Sequence, residues 1–151
     1  MERLMASKAK YRAINPTPIT AIAPVERIIR QAVGTMPMAV ASSGLKASVT
    51  SHLKDVGLYD LFDAIVTVED VQHGKPAPDL FLLAAEKIGV APEHCRGFED
   101  ADLGIEALQA AGMEVVDVRL MEGYPHSATT AAAAAAAASS FHATVNTVLA
   151  P

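Results

Sequence analysis

Apolar runs and apolar residues at helical spacing alternate through the middle of the chain. Pro24 opens a segment in which Val25, Ile28, Ile29, Ala32 and Val33 keep helical spacing, and Gly34 stops it. Met38-Ala39-Val40-Ala41 is a short apolar run ending in Ser42-Ser43-Gly44, which predicts a strand, a tight turn and a helix over residues 45–55. The pattern then repeats. Residues 64–68 read as a β-branched strand, and Pro78-Asp79 begins a helix closed by Gly89. Residues 94–98 predict a strand, residues 102–111 a helix closed by Gly112, and residues 114–118 a further strand. Alternation on this scale implies parallel pairing with right-handed crossovers, an α/β layered fold. The near-continuous apolar strands fit burial on both faces of the sheet.

The two ends break the pattern. Residues 1–13 are helix-compatible until Asn15-Pro16-Thr17-Pro18 interrupts them. Residues 127–140 are a low-complexity stretch of Ala, Ser and Thr whose eight consecutive alanines, Ala131 to Ala138, favour helix but offer no bulky face to pack. That segment reads as a loosely held helix or a linker, and residues 143–147 as a short final strand.

Composition narrows the function. With 51% hydrophobic and 19% charged residues the chain has the balance of a folded globule. Twelve basic against seventeen acidic residues give a net charge of -5, which argues against a general nucleic-acid partner. The single cysteine, Cys95, has no internal disulfide partner, so a reducing, cytoplasmic setting is expected. No stretch of about 18 or more large apolar side chains is present, so no membrane partner is expected. Arg3, Lys8, Lys10 and Arg12 against Glu2 give a basic start, which suits either the exposed face of a helix or an organelle-targeting segment.

In an open parallel sheet, ligands bind at the carboxyl ends of the strands. Three features fall there. Ser42-Ser43-Gly44 offers a hydroxyl and backbone N–H groups at the start of a helix, where anions are favoured; taken alone, such a turn also serves simply to cap the helix. Lys75, framed by Gly74 and Pro76, can neutralise a phosphate as a point charge or stand as a solvated surface lysine. Glu99 and Asp100 directly follow a strand. Paired carboxylates there call for a cation or N–H donors, and oxygen ligands suit Mg2+. Asp102 reads as a helix cap.

Together, in this order on successive βα units, these features resemble the second, third and fourth motifs of the haloacid dehalogenase superfamily. Gly74-Lys75-Pro76-Ala77-Pro78-Asp79 and Phe98-Glu99-Asp100-Ala101-Asp102-Leu103-Gly104-Ile105 look like its β-phosphoglucomutase and sugar-phosphate phosphatase subgroup. The resemblance covers roughly residues 22–120. It divides the chain into a remnant of a cap helix (1–20), a core (21–126), the Ala-rich segment (127–140) and a final strand and tail (141–151). It implies that Ser42, with the N–H groups of Ser43 and Gly44, binds a transferring phosphoryl group, that Lys75 stabilises its charge, and that Glu99 and Asp100 bind Mg2+. The implied substrate is a small phosphorylated metabolite. The family mechanism uses an aspartate nucleophile and a second aspartate as general acid and base.

Those two aspartates sit in an Asp-x-Asp-Gly stretch on the family's first strand, and residues 1–36 contain no match; their only acids are Glu2 and Glu26. The expected fold is therefore a Rossmann-like parallel sheet with helices on both faces, lacking its first central strand and most of the helical cap. Removing that strand leaves a slot about two strand spacings wide, roughly 9–10 Å. Either the flanking strands close up and pair, or another segment fills the slot, with residues 19–23 the nearby apolar candidate. A truncated product is the remaining expectation. Two functional readings follow: a phosphatase or phosphomutase impaired in turnover, or a non-catalytic phosphate- and metal-binding or interaction remnant. Exposed strand edges also leave room for self-association.

Overall fold

A computed structural model describes residues 23–124 and the backbone of residues 147–149. The first helix, α1 (Ala23–Ala32), buries Pro24, Val25, Ile29 and Ala32 along one stripe, while Glu26 and Arg30 pair at 3.0 Å on its outer face. Gly34, at φ 76°, turns the chain out of the helix. Strand β1 (Met38–Ser42) is buried along its whole length. Its alternate side chains divide between two cores, as the period of two demands. Met38 and Val40 join Val25 and Ile29 of α1 and Val49 and Leu53 of α2 (Lys46–Asp55). Ala39 and Ala41 face Leu80, Phe81, Ala84 and Ala85 of α3 (Asp79–Ile88) and Leu108 of α4 (Asp102–Ala110). Helices thus cover both faces of the sheet.

The remaining strands are β2 (Ala64–Thr67), β3 (Arg96–Glu99), β4 (Glu114–Asp117) and β5 (Thr147–Leu149), in the order β2-β1-β5-β3-β4. The pairs β1–β2 and β3–β4 are parallel. The sheet is not wholly parallel, because β5 runs antiparallel to both of its neighbours. Val148 lies opposite Ala39 on one side and Gly97 on the other. The slot is therefore filled by another segment, the second of the two expected routes, but the segment is residues 147–149: β1 and β3 do not pair, and Ala23, of the apolar candidate 19–23, belongs to α1. Backbone donors and acceptors on the facing edges of β1 and β3 must find partners, and three residues of extended chain supply them. Of the final strand expected over residues 143–147, Thr147 lies in β5 and residues 143–146 lie outside the described residues.

Other boundaries shift for local reasons. The strand expected from residue 94 starts at Arg96, because Pro92–His94 form a 3-10 turn. The strand expected to run to residue 68 ends at Thr67, whose N–H donates to Asp70 Oδ2 at 2.9 Å in a reciprocal cap. The predicted cap helix within residues 1–20 and the Ala-rich segment 127–140 lie outside the described residues.

A proline at a central strand position removes a ladder hydrogen bond whichever neighbour it faces. Val148→Pro is expected to destabilise the fold by about 1–3 kcal/mol in denaturant unfolding, the cost of leaving the partner of the lost hydrogen bond unsatisfied. A loss below about 0.5 kcal/mol, the range of an ordinary surface substitution, would mean that β5 is not a central strand.

Candidate functional site

Ser42 ends β1 and is fully buried, and its Oγ accepts the Gly44 N–H at 3.1 Å. A side chain on Gly44 would crowd Val49 Cγ2 at 3.0 Å and Ser42 Oγ at 3.4 Å, so the turn stays this tight only with glycine. The Lys46 N–H at the start of α2 donates to Glu69 Oε2 at 2.6 Å. Of the N–H groups predicted to meet an anion, that of Gly44 is committed to Ser42, and the N–H of Ser43 has no acceptor among the described residues.

Lys75 reaches in from the loop before α3. Its ammonium lies 2.9 Å from Glu99 Oε2, donates to the Ala41 carbonyl at 3.2 Å, and sits 4.8 Å from the Phe81 ring centroid. The side chain is 7% exposed. Burial pulls its pKa below the usual lysine value, opposed by the charges of Glu99 and then Asp100. The position of this contact in the sheet is informative. Pairing with β5 ends at Val40 and Phe98, and Ala41 and Glu99 are the next residues along β1 and β3. The lysine links these two residues, one from each strand.

Glu99 is 1% exposed and accepts from three donors. Oε2 meets Lys75, while Oε1 accepts the N–H groups of Asp100 at 2.9 Å and Ala101 at 3.0 Å. Its carboxylate rests on the first turn of α4 at Gly104, where any β-carbon would overlap its Cγ, Cδ and Oε2. Asp100, the next residue, is half-buried, with its carboxyl close to that of Glu99. Its Oδ2 accepts the Tyr124 hydroxyl at 3.1 Å. Burial, and then the charge of Glu99, push its pKa up to about 7. Burial and the Asp100 charge together push the Tyr124 hydroxyl up to about 12, so it remains a donor.

The structure thus brings Ser42, Lys75, Glu99 and Asp100 to one edge of the sheet, with Ser43 exposed at the rim. Asp102 caps nothing through its side chain, being the first residue of α4, and pairs at 3.0 Å with Arg119. Arg119 also forks onto Asp117, with Nε to Oδ1 at 2.9 Å and NH2 to Oδ2 at 2.8 Å. Tyr124, Arg119 and the packing role of Gly104 were not singled out in the sequence. The available signal was position, since Arg119 and Tyr124 follow the carboxyl end of β4. Two surface hollows of about 440 and 380 Å3 lie elsewhere, around Val33–Pro37 with Asp60, and around Lys46, Thr50 and Tyr59.

Among the described residues, no three His, Cys, Asp or Glu side chains are grouped so as to hold a metal ion. The Asp100 carboxyl is half-buried and Tyr124 holds its Oδ2, leaving Oδ1 as the oxygen that the tyrosine does not hold, whereas both Glu99 oxygens accept from donors. Mg2+ commonly takes one or two carboxylates and keeps its waters. A carboxyl group that burial holds partly protonated gains from a cation beside it. The donor set fits a divalent cation with few protein ligands, centred on Asp100.

A profile of haloacid dehalogenase-like hydrolases matches residues 10–112. The chain is 47% identical over 98 residues to the fructose-1-phosphate phosphatase of Escherichia coli, covering 65% of this chain and 52% of that one. The solved β-phosphoglucomutase of Clostridium difficile superposes with a TM-score of 0.57 at 30% identity, over 62% of this chain and 41% of that one. A CbbY structure from Rhodobacter sphaeroides, in complex with xylulose-1,5-bisphosphate, gives a TM-score of 0.62 at 25% identity, over 66% and 46% of the two chains. The chain spans about half or less of the length of these relatives.

Alanine usually stabilises a helix relative to glycine by about 1 kcal/mol. Gly104→Ala is expected to do the reverse, because forcing a methyl into a packed site costs about 1–3 kcal/mol, here by driving Glu99 off Lys75. Urea unfolding checks the sign; a gain in stability would show that Glu99 does not need the space above Gly104.

Proposed function

The chain belongs to the haloacid dehalogenase-like hydrolases, and from that premise we propose that these residues form the phosphate- and Mg2+-binding edge of a phosphatase of small phosphorylated metabolites such as sugar phosphates. The observation that carries the reading is the ammonium of Lys75, held between Ala41 and Glu99 at the carboxyl edge, with the Ser42 turn on one side and Asp100 on the other. Ser42 and the N–H group of Ser43 bind the phosphoryl oxygens, while the Gly44 N–H holds the Ser42 hydroxyl in place. Lys75 offsets their charge. Asp100 holds Mg2+ through Oδ1, the oxygen that Tyr124 does not hold, while Glu99 fixes the lysine and adds its negative charge beside the metal. A bound Mg2+ supplies further charge neutralisation at the phosphoryl group. Fructose 1-phosphate, named for the bacterial relative, is a fitting first substrate to try, and the single cysteine supports a cytoplasmic setting.

A second reading, a phosphate- and metal-binding module with little turnover, is favoured by one specific feature. The 151 residues contain no Asp-x-Asp-Gly stretch, and the centre of the sheet is taken by β5. On this reading ligand binding persists while covalent chemistry does not.

Titration calorimetry separates the outcomes. Mg2+ is expected to bind more tightly as pH rises, levelling off above about 7, because Asp100 must first lose its proton. Asp100→Asn should abolish that binding, and inorganic phosphate should bind in the presence of Mg2+. Turnover of p-nitrophenyl phosphate by these residues alone should stay near the blank. No heat with either ligand at millimolar concentration would remove the binding site; robust Asp100-dependent hydrolysis would show that a nucleophile is present after all.

A further inference from the structure

The loop after β4 is fastened to the acidic turn at two points. Arg119, locked by its fork onto Asp117, reaches Asp102 at 3.0 Å, and Tyr124 donates to Asp100 Oδ2 at 3.1 Å. The loop is also closed on itself, with the Met121 N–H on the Val118 carbonyl at 3.1 Å and the Tyr124 N–H on the Met121 carbonyl at 3.2 Å. Val118 is fully buried, and the Tyr124 ring packs against the core shared by α1 and α2. The hydroxyl is therefore presented from a fixed frame.

Its position decides how Asp100 can bind. A carboxylate can grip a cation with both oxygens or with one. Ca2+ accepts both arrangements, in a flexible shell at about 2.3–2.6 Å, whereas Mg2+ demands near-octahedral geometry at about 2.0–2.1 Å with single oxygens. We propose that Tyr124 is a specificity-determining residue for the cation: by holding Asp100 Oδ2 it confines the carboxylate to ligation through Oδ1, which favours Mg2+ over Ca2+. The inference rests on the metal reading above and adds the source of its selectivity. Tyr124 touches no substrate or metal in this role; it positions the ligand. Partners that orient a metal ligand typically contribute about 10–100-fold to affinity.

The test compares the full chain with Tyr124→Phe, which keeps the ring and removes only the hydroxyl. Calorimetry with Mg2+ alone and with Ca2+ alone gives the ratio of the two affinities, and thermal unfolding without metal reports on the fold. The expected result is a roughly tenfold loss of Mg2+ affinity, Ca2+ affinity held or raised, and therefore a fall in the ratio. Equal weakening of both ions would show a merely structural role, and unchanged affinities would show that the hydroxyl does not constrain Asp100; either overturns the proposal while leaving the metal reading intact. A wild-type chain that binds neither ion overturns both. If Tyr124→Phe does not fold, Tyr124→His, which keeps a ring and an N–H donor, is expected to retain a ratio above one; an equal affinity for the two ions in that variant also overturns the proposal.

Discussion

The site exists because two half-sheets are held at a fixed separation. The unit β2-β1 carries the Ser42 turn, and the unit β3-β4 carries Glu99 and Asp100. No backbone hydrogen bond joins β1 to β3 directly; β5 lies between them and pairs with three residues of each. Next to the paired residues, the Lys75 ammonium links the Ala41 carbonyl on one strand to the Glu99 carboxylate on the other. A strand and a lysine together set the distance across which a phosphoryl group and a cation would meet.

The electrostatics follow from that placement. A buried ion pair gains little net stability, because desolvation of both charges offsets their attraction. The pair Lys75–Glu99 is better understood as a device that keeps an ammonium charged and pointed at the edge of the sheet. Glu99 can serve it because two N–H groups hold its other oxygen and Gly104 leaves room for it. The Tyr124 hydroxyl and the Lys75 charge compensate Asp100 only in part, so burial and the charge of Glu99 raise its pKa to about 7 and a cation beside it would be welcome. Adjacent carboxylates thus take different tasks: Glu99 holds the lysine, and Asp100, held by Tyr124, is the one proposed to meet the cation.

Much of this was legible in the chain. The apolar runs at residues 38–41, 64–67 and 114–117 and the helix-closing Gly34, Gly89 and Gly112 carry their own local signals, and the strands and helices fall where those signals lie. The order of serine turn, framed lysine and acidic pair marked the edge that the structure assembles. The occupant of the central slot was not legible, because Thr147-Val148-Leu149 is too short for a periodic signature and its pairing depends on strands about 50 and 110 residues away. Tyr124 and Arg119 were missed for a related reason. An isolated tyrosine or arginine in a loop says nothing until the fold brings Asp100 and Asp102 beside it.

The claim on which everything rests is that β5 stands between β1 and β3. Cross-strand nuclear Overhauser contacts in the isotopically labelled chain address it directly. The account predicts backbone proton contacts from Val148 to both Ala39 and Gly97, in antiparallel register. Direct backbone contacts between β1 and β3, with none to Val148, would contradict it.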